Sequence, residues 1–194
     1  GTPDRKPLRI TPVVKDSQRL VKASLPKSVT VQREIDPDAG LVSADLSQLY
    51  QVIVNLCLNA GDAMREGGGV LTVGLTPTEI ESPFADRLAV AEGSYVRLSV
   101  RDSGTGMAPH VLARIFEPFF STKSPDEGTG LGLSVVEGIV KSYGGCVTVS
   151  SHPGEGTTFE VLLPRSGDQE ALGEDEGDDW ARNGRPRVLF VDDE

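Results

Sequence analysis

The chain has 194 residues, of which 38% are hydrophobic and 25% charged, as expected for one globular domain with a short remainder. Its formal net charge of −10 disfavours a nucleic-acid partner, because phosphate backbones carry the same sign. No apolar run approaches the roughly 20 residues that span a bilayer. The two cysteines, Cys57 and Cys146, lie in apolar stretches without metal-ligand spacing, so we expect two reduced core thiols.

The first third of the chain predicts a helix, a strand and a second helix. Apolar residues at 10, 13, 14, 20 and 21 predict a short amphipathic helix over 10–24. Alternation over 29–35 predicts a half-buried strand. The clearest helix covers 45–64 and ends at a run of three glycines. Its apolar stripe recurs at steps of three and four, at Leu46, Leu49, Ile53, Leu56, Ala60 and Ala63.

The middle of the chain predicts two strands, over 70–75 and 95–100, because both are β-branched and alternate. The polar segment between them, 76–94, contains two prolines and predicts a loop or an insertion. Residues 103–131 carry no sustained period, which indicates a long loop that is functional or mobile. A helix is predicted over 131–142.

The last part of the chain changes character. Two strands, 146–150 and 158–163, are predicted first. Residues 166–186 predict an acidic flexible linker, with seven Asp or Glu between 168 and 179. Residues 187–194, RVLFVDDE, resume the pattern of a buried strand.

A polar flank runs beside the apolar stripe of the helix at 45–64. Asn55, Asn59 and Asp62 are spaced by four and three, so they share one face. Asparagine amides can coordinate a hard cation through oxygen and donate to phosphate oxygens through nitrogen. A polar flank satisfied by water or loop backbone explains the same spacing.

Two glycine turns adjoin predicted strands. In RDSGTGM, Asp102 ends a strand and can accept a hydrogen bond from an exocyclic amine, while Gly104 and Gly106 permit close approach to a ligand. In GEGTTF, Thr157 places a hydroxyl at the start of a strand. A capped glycine turn and an ordinary hairpin turn are the alternatives.

The loop at 103–131 contains two further patterns. IFEPFFSTK, 115–123, predicts a hydrophobic hinge for a mobile segment, with Lys123 able to reach a phosphate; a small hydrophobic cluster under a loop is the alternative. EGTGLGLS leads glycines into a helix N-terminus, which favours anions. That run matches neither the P-loop nor the dinucleotide fingerprint.

Taken together, NLCLNAGDAM, DSGTGM, FEPFFSTK, GTGLGLS and GEGTTF resemble the N, G1, F, G2 and G3 boxes of histidine-kinase catalytic domains. The resemblance covers about residues 10–165, and the family belongs to an ATPase superfamily shared with gyrase and MutL. It implies a Bergerat-type α/β (α+β) two-layer sandwich, in which helices cover one face of a mixed sheet beside an ATP lid. We therefore expect a catalytic and ATP-binding domain over 1–165, with ATP and Mg²⁺ as cofactors.

The resemblance also implies roles for individual residues. Asn59 matches the Mg²⁺ ligand, Asp102 the adenine-amine acceptor, and 107–130 the lid, with Phe116, Phe119 and Phe120 in its packing. Asn55 and Lys123 are taken as catalytic. The residues implied to bind the cofactor are Asn55, Asn59, Asp62, Asp102, Gly104, Gly106, Ile115, Phe116, Lys123, Gly128, Thr129, Gly130, Leu131, Gly132, Leu133 and Thr157.

Two positions depart from relatives of this superfamily. Asn55 stands where gyrase-like ATPases carry a glutamate that activates water, and an amide is no base at neutral pH. This favours phosphate transfer to another group over hydrolysis. Asp62 stands where several members carry Lys or Arg, so we expect it to support the site indirectly. An ATP-binding or ATP-hydrolysing clamp module of the same superfamily is the alternative function.

The phosphoacceptor is expected outside this chain. His110 and His152 lie in predicted loops rather than in a helical phosphoacceptor motif. RVLFVDDE resembles the first strand of a receiver domain, with Asp192 and Asp193 as its acidic pair. The expected parent is a homodimeric hybrid kinase whose partners are its own upstream dimerisation domain and downstream receiver. We expect a cytoplasmic fragment without membrane or nucleic-acid contact, even in a membrane-anchored parent.

Overall fold

The computed structural model describes residues 4–123 and 128–166. They form a layer of helices packed on a mixed sheet. In chain order the elements are β1 (Lys6–Arg9), α1 (Ile10–Lys22), β2 (Val29–Ile35), β3 (Leu41–Ala44), α2 (Leu46–Ala63), β4 (Gly69–Ile80), α3 (Phe84–Leu88), β5 (Gly93–Asp102), α4 (Pro109–Leu112), α5 (Gly132–Ser142), β6 (Cys146–His152) and β7 (Gly156–Pro164). None of the helices in this described part has the length and hydrophobicity that a membrane crossing requires.

The main sheet has five strands in the order β2-β4-β5-β7-β6. β2 pairs with β4 in parallel and the other pairs are antiparallel, so the sheet is mixed. β1 and β3 form a separate antiparallel pair. The expected two-layer sandwich is therefore confirmed.

The core lies between this sheet and helices α1, α2 and α5. α2 contacts β4, β5 and β7, and also packs against α1 and α5 on either side. Its buried positions include Leu49, Ile53 and Leu56, as its apolar stripe predicts, whereas Leu46 is 48% exposed in the first turn. Asp45 caps this helix, because its carboxylate accepts the N–H groups of Ser47 and Gln48 at 2.9 and 3.2 Å.

The prediction of a loop over 76–94 is wrong. β4 continues to Ile80, and the short helix α3 follows. Pro77 is tolerated because β2 stops opposite Leu75, so beyond that point β4 has only β5 as a neighbour and needs fewer ladder bonds. α3 packs with Tyr95 and Leu162 in a small cluster, so one end of the sheet's second face is covered as well.

The other predicted elements appear with small changes at their ends. The helices at α1, α2 and α5 and the strands at β2, β5, β6 and β7 are confirmed. β1 and β3 are too short to be recognised from alternation, and α4 is a single turn inside the long loop. Cys57 is buried and Cys146 half-buried, and both are free thiols.

Candidate active site

The polar flank of α2 faces the start of α5. Asn55 is half-buried, and its side-chain nitrogen donates to the backbone oxygen of Gly132 at 3.4 Å. Asn59, one turn further along, is also half-buried. In the described part of the chain, its amide has no hydrogen-bond partner. The oxygen and nitrogen of Asn59 therefore remain available to a ligand at this face.

Asp62 closes the far end of the same flank. Its carboxylate forms ion pairs with Lys123 and with Arg65, the latter at 2.6 Å. Burial opposes ionisation of Asp62, but the hydrogen bonds and charges of the two cations outweigh it, so its pKa lies below its ordinary value. Lys123, the expected phosphate contact, is thus held on α2 by a carboxylate.

Asp102 is the last residue of β5 and is 4% exposed. Its carboxylate accepts the N–H of Gly104 at 2.8 Å and the backbone N–H of Thr157, which lies opposite in the β5–β7 register. Burial raises the pKa of Asp102, and the two hydrogen bonds offset part of this rise. The carboxylate retains acceptor capacity for an exocyclic amine.

The turn after Asp102 passes very close to neighbouring backbone. Gly106 has a φ of +65°, and a Cβ there would lie 1.9 Å from the backbone oxygen of His152. A Cβ on Gly104 would lie 2.6 Å from the backbone oxygen of Ala63, the last residue of α2. The N–H of Thr105 donates to the same oxygen at 3.2 Å. This turn is therefore fixed between β6 and the end of α2.

Ser151 is a site residue that the sequence did not single out. Its buried hydroxyl accepts the N–H of Met107 at 2.9 Å and lies 2.9 Å from the Thr157 hydroxyl. It thereby joins the turn after β5 to the start of β7. Inward-facing positions of β6 alternate, so Ser151, two residues after Val149, takes the next inward-facing position; a serine at that position was the signal available.

The segment around the three phenylalanines is only partly packed. Ile115 and Phe116 are 6% and 7% exposed and belong to the main core, so they anchor the base of this segment. Phe120 lies 4.3 Å from the Arg114 guanidinium, measured to the ring centre. Phe119 is 76% exposed, so the prediction that it packs with the others is wrong.

The glycine run leads into α5 as its sequence predicts. Gly130 has a φ of +65°, and its backbone oxygen accepts the N–H of Phe119 at 2.9 Å. No side chain of the described residues caps α5, and its first turn carries no acidic residue, so its N–H groups can bind an anion. The remaining predicted residues of this run are exposed or half-buried: Gly128, Thr129, Leu131 and Leu133.

The predicted residues thus form two groups connected by α2. One group holds Asp102, its turn and Thr157; the other holds Asn55, Asn59 and the start of α5. Asn55 and Ala63 are separated by about 12 Å along the helix axis, at about 1.5 Å per residue. His110 and His152 are exposed and belong to neither group.

A metal at this site would need ligands from a bound molecule. Within residues 4–123 and 128–166, no three His, Cys, Asp or Glu side chains converge as a metal site would require. Mg²⁺ is ordinarily held by one or two protein oxygens together with substrate phosphates. The unpartnered amide of Asn59 beside an anion-favouring helix terminus fits that arrangement.

Comparison with known proteins agrees with this geometry. The family model for histidine kinase-, DNA gyrase B- and HSP90-like ATPases matches residues 44–167, from the end of β3 past β7. Sensor kinase CckA of Brucella abortus (strain 2308) is 43% identical over 161 residues, which are 81% of this chain and 17% of CckA. The chain spans less than half the length of the curated relatives it matches.

Solved structures show the same fold. The mycobacterial sensor histidine kinase MprB superposes with a TM-score of 0.65 at 25% identity, covering 82% of this chain and 97% of that one. Full-length ShkA in complex with AMPPNP gives a TM-score of 0.65 at 27% identity, covering 84% of this chain and 32% of that one.

Proposed function

Since the chain belongs to the family of histidine kinase-, DNA gyrase B- and HSP90-like ATPases and is the ATP-binding catalytic domain of a two-component sensor histidine kinase, we propose that it binds Mg-ATP and presents the γ-phosphate to a histidine on another domain of the parent protein. One observation carries this proposal. A buried carboxylate and an uncapped helix N-terminus stand at opposite ends of a polar helix flank, which suits adenine at one end and phosphates at the other.

The adenine end is assigned to Asp102. Its carboxylate accepts the exocyclic amine of adenine, and the turn held by Gly104, Gly106 and Ser151 keeps the carboxylate in place. Guanine presents a carbonyl oxygen where adenine has its amine, so an ionised Asp102 repels it. Thr157 lies beside Asp102 and completes this end of the pocket.

The phosphate end is assigned to Asn55, Asn59, Lys123 and the start of α5. Asn59 would hold Mg²⁺, which supplies charge neutralisation across the phosphates when bound. Asn55 donates to backbone at Gly132 and so holds the glycine turn against α2. N–H groups of that turn and the Lys123 ammonium would neutralise the remaining phosphate charge.

The reaction needs little covalent chemistry from this domain. An imidazole nitrogen of the acceptor histidine forms a bond to the γ-phosphorus, while the bond from that phosphorus to the bridging oxygen breaks and ADP leaves. Positioning and charge stabilisation drive such a transfer. Position 55 carries an amide, which cannot take a proton from water, and this supports transfer to histidine over hydrolysis.

The partners belong to the proposal as well. The acceptor histidine lies on an upstream dimerisation domain, and a homodimeric parent brings it to this domain. The receiver-like residues 187–194 and the acidic linker fall outside the described residues, and a downstream receiver domain remains a proposal. So does a cytoplasmic location for this domain.

The test uses the purified chain, the dimerisation domain of its parent and ATP labelled at the γ-phosphate. We expect acid-labile, base-stable label on the dimerisation domain. Asn59→Ala should abolish both Mg-dependent ATP binding and labelling, whereas Gln51→Ala, on the exposed side of the same helix, should change neither. Labelling of neither domain, with release of free phosphate instead, would favour the clamp ATPase alternative.

A further inference from the structure

A basic groove lies between the start of α1 and the end of β2. It has a volume of about 380 Å³, and Arg9, Lys15 and Arg33 line it. Arg165 stands at its rim, packed on the lining residue Gly40, where a Cβ would lie 2.6 Å from the arginine Nε. Among residues 4–123 and 128–166, no carboxylate lines the groove. The depression with these four cations is called the basic groove below, and it lies apart from the nucleotide site.

None of the four cations forms an ion pair with a carboxylate in the described part of the chain. The ion pairs found there involve other residues. Arg33 donates only to the neutral side chain of Gln18. Asp36 and Asp38 follow β2 but do not line the groove. Like charges that line one groove without counter-charges repel one another where they approach within a Debye length, about 8 Å. An anionic group would relieve that repulsion.

The helix terminus at the groove adds to the positive potential. Arg9 is the N-cap of α1 and offers no side-chain acceptor to the first N–H groups, and the first turn of α1 carries no acidic residue. Thr11 and Pro12 of that turn line the groove. Three lining cations, a fourth at the rim and a helix start without a side-chain cap therefore surround one depression in a protein whose net charge is −10.

The described chain ends at this groove. The backbone of Arg165 forms an isolated antiparallel β-bridge with Val42, and the N–H of Ser166 donates to the backbone oxygen of Leu41 at 2.7 Å. The chain therefore continues from a point next to Gly40. Residues 168–179 follow, with seven of the chain's 29 acidic residues and no Lys or Arg.

We propose that the basic groove binds the acidic segment 168–179 of the same chain. Covalent geometry limits the reach of this segment: two residues of chain span at most about 7 Å, so Asp168 can approach the groove from Ser166, and the whole run can span at most about 45 Å. A tether this short gives an effective concentration on the order of millimolar, so several weak ion pairs suffice to populate the contact. Docking would fix the direction in which the chain leaves the domain.

The first test is carbodiimide cross-linking of the full 194-residue chain, which joins an amine to a carboxylate in contact with it. We expect Lys15, the only amine lining the groove, to link to segment 168–179 at least about tenfold more than Lys22, which is exposed at the other end of α1. The link should fade in about 1 M salt, where the Debye length falls to about 3 Å. Lys15→Arg keeps the charge and should remove the link.

Mixing isotopically light and heavy chains before cross-linking distinguishes links within one chain from links between two chains. Links within one chain support the proposal. Links between light and heavy chains would overturn it, because the occupant would then be a second copy. Equal linking of Lys15 and Lys22 would overturn it too.

A second measurement avoids any change to the folded domain. The seven carboxylates of segment 168–179 are replaced by the corresponding amides, and backbone amide NMR shifts are compared with the unmodified chain. We expect shift differences at Lys15, Arg33 and Gly40 that vanish in high salt. Unchanged shifts at all three would overturn the proposal.

Discussion

Removing the carboxylate of Asp62 should strengthen ATP binding. In this structure Asp62 holds Lys123, the cation proposed to contact a phosphate. The ammonium cannot serve the carboxylate and a phosphate at full strength together. Asp62→Asn keeps the shape of the side chain and removes its charge, so Lys123 is released from the competing anion.

The size of the effect follows from the exposure of the pair. Lys123 and Asp62 side chains are 33% and 28% exposed, so solvent screens much of their attraction. Pairs of this kind contribute up to about 1 kcal/mol. At about 1.4 kcal/mol for each factor of ten, its loss should tighten Mg-ATP binding by up to about fivefold.

Isothermal titration calorimetry with Mg-ATP measures this directly. Glu137→Gln is the matched control, because it removes a carboxylate paired at 2.7 Å with Lys141 on α5 and should leave affinity unchanged. Lys123→Met should weaken binding, and Asp62→Asn added to Lys123→Met should have no further effect. If Asp62→Asn alone weakens binding, Asp62 supports the nucleotide or its metal and the competition argument is refuted.

Three further outcomes test the site and its support. Asp102→Asn should reduce the preference for ATP over GTP in competition binding. Because burial raises the pKa of Asp102, the contribution of this carboxyl to native-state stability should fall as pH rises through that pKa. The difference in urea-unfolding free energy between the unmodified chain and Asp102→Asn should show this slope. Ser151→Ala leaves the Met107 N–H without its acceptor and should lower the free energy of unfolding in urea by about 1–3 kcal/mol. An unchanged unfolding midpoint would contradict the role of Ser151 in holding the turn. Burial raises the pKa of Cys57 to about 12, so its reaction with a thiol reagent at pH 8 should require unfolding. Fast labelling of Cys57 in the native protein, located by peptide mapping, would disprove this.

The helix α2 shows how far local pattern reaches. Its apolar stripe and the spacing of Asn55 and Asn59 are properties of one helix, so both the buried face and the polar flank were predictable. The glycine at 106 was likewise recognisable as a turn residue. The reason why glycine is required at 106 is not local. A Cβ there would lie 1.9 Å from a backbone oxygen of β6, a strand that lies about 40 residues later in the chain.

Errors arose where a long-range partner outweighed the local signal. Pro77 and its polar neighbours indicate a loop, yet β5 pairs with β4 as far as Ile80 and β2 leaves that stretch with one neighbour only. Phe119 indicates packing by its chemistry, but it is 76% exposed and has a φ of +66°. Neither outcome is contained in a short window of sequence.

The sequence by itself determined the long helices, most strands of the main sheet, the candidate site residues and the acidic segment, because periodicity, glycine turns and charge runs are local. Only the tertiary structure decided that Asp62 holds Lys123, which is 61 residues away, that Ser151 joins two turns, and that four cations meet where the described chain ends. Those contacts depend on which strands pair and which helices cross, and sheet register and core packing set these through residues far apart in the chain.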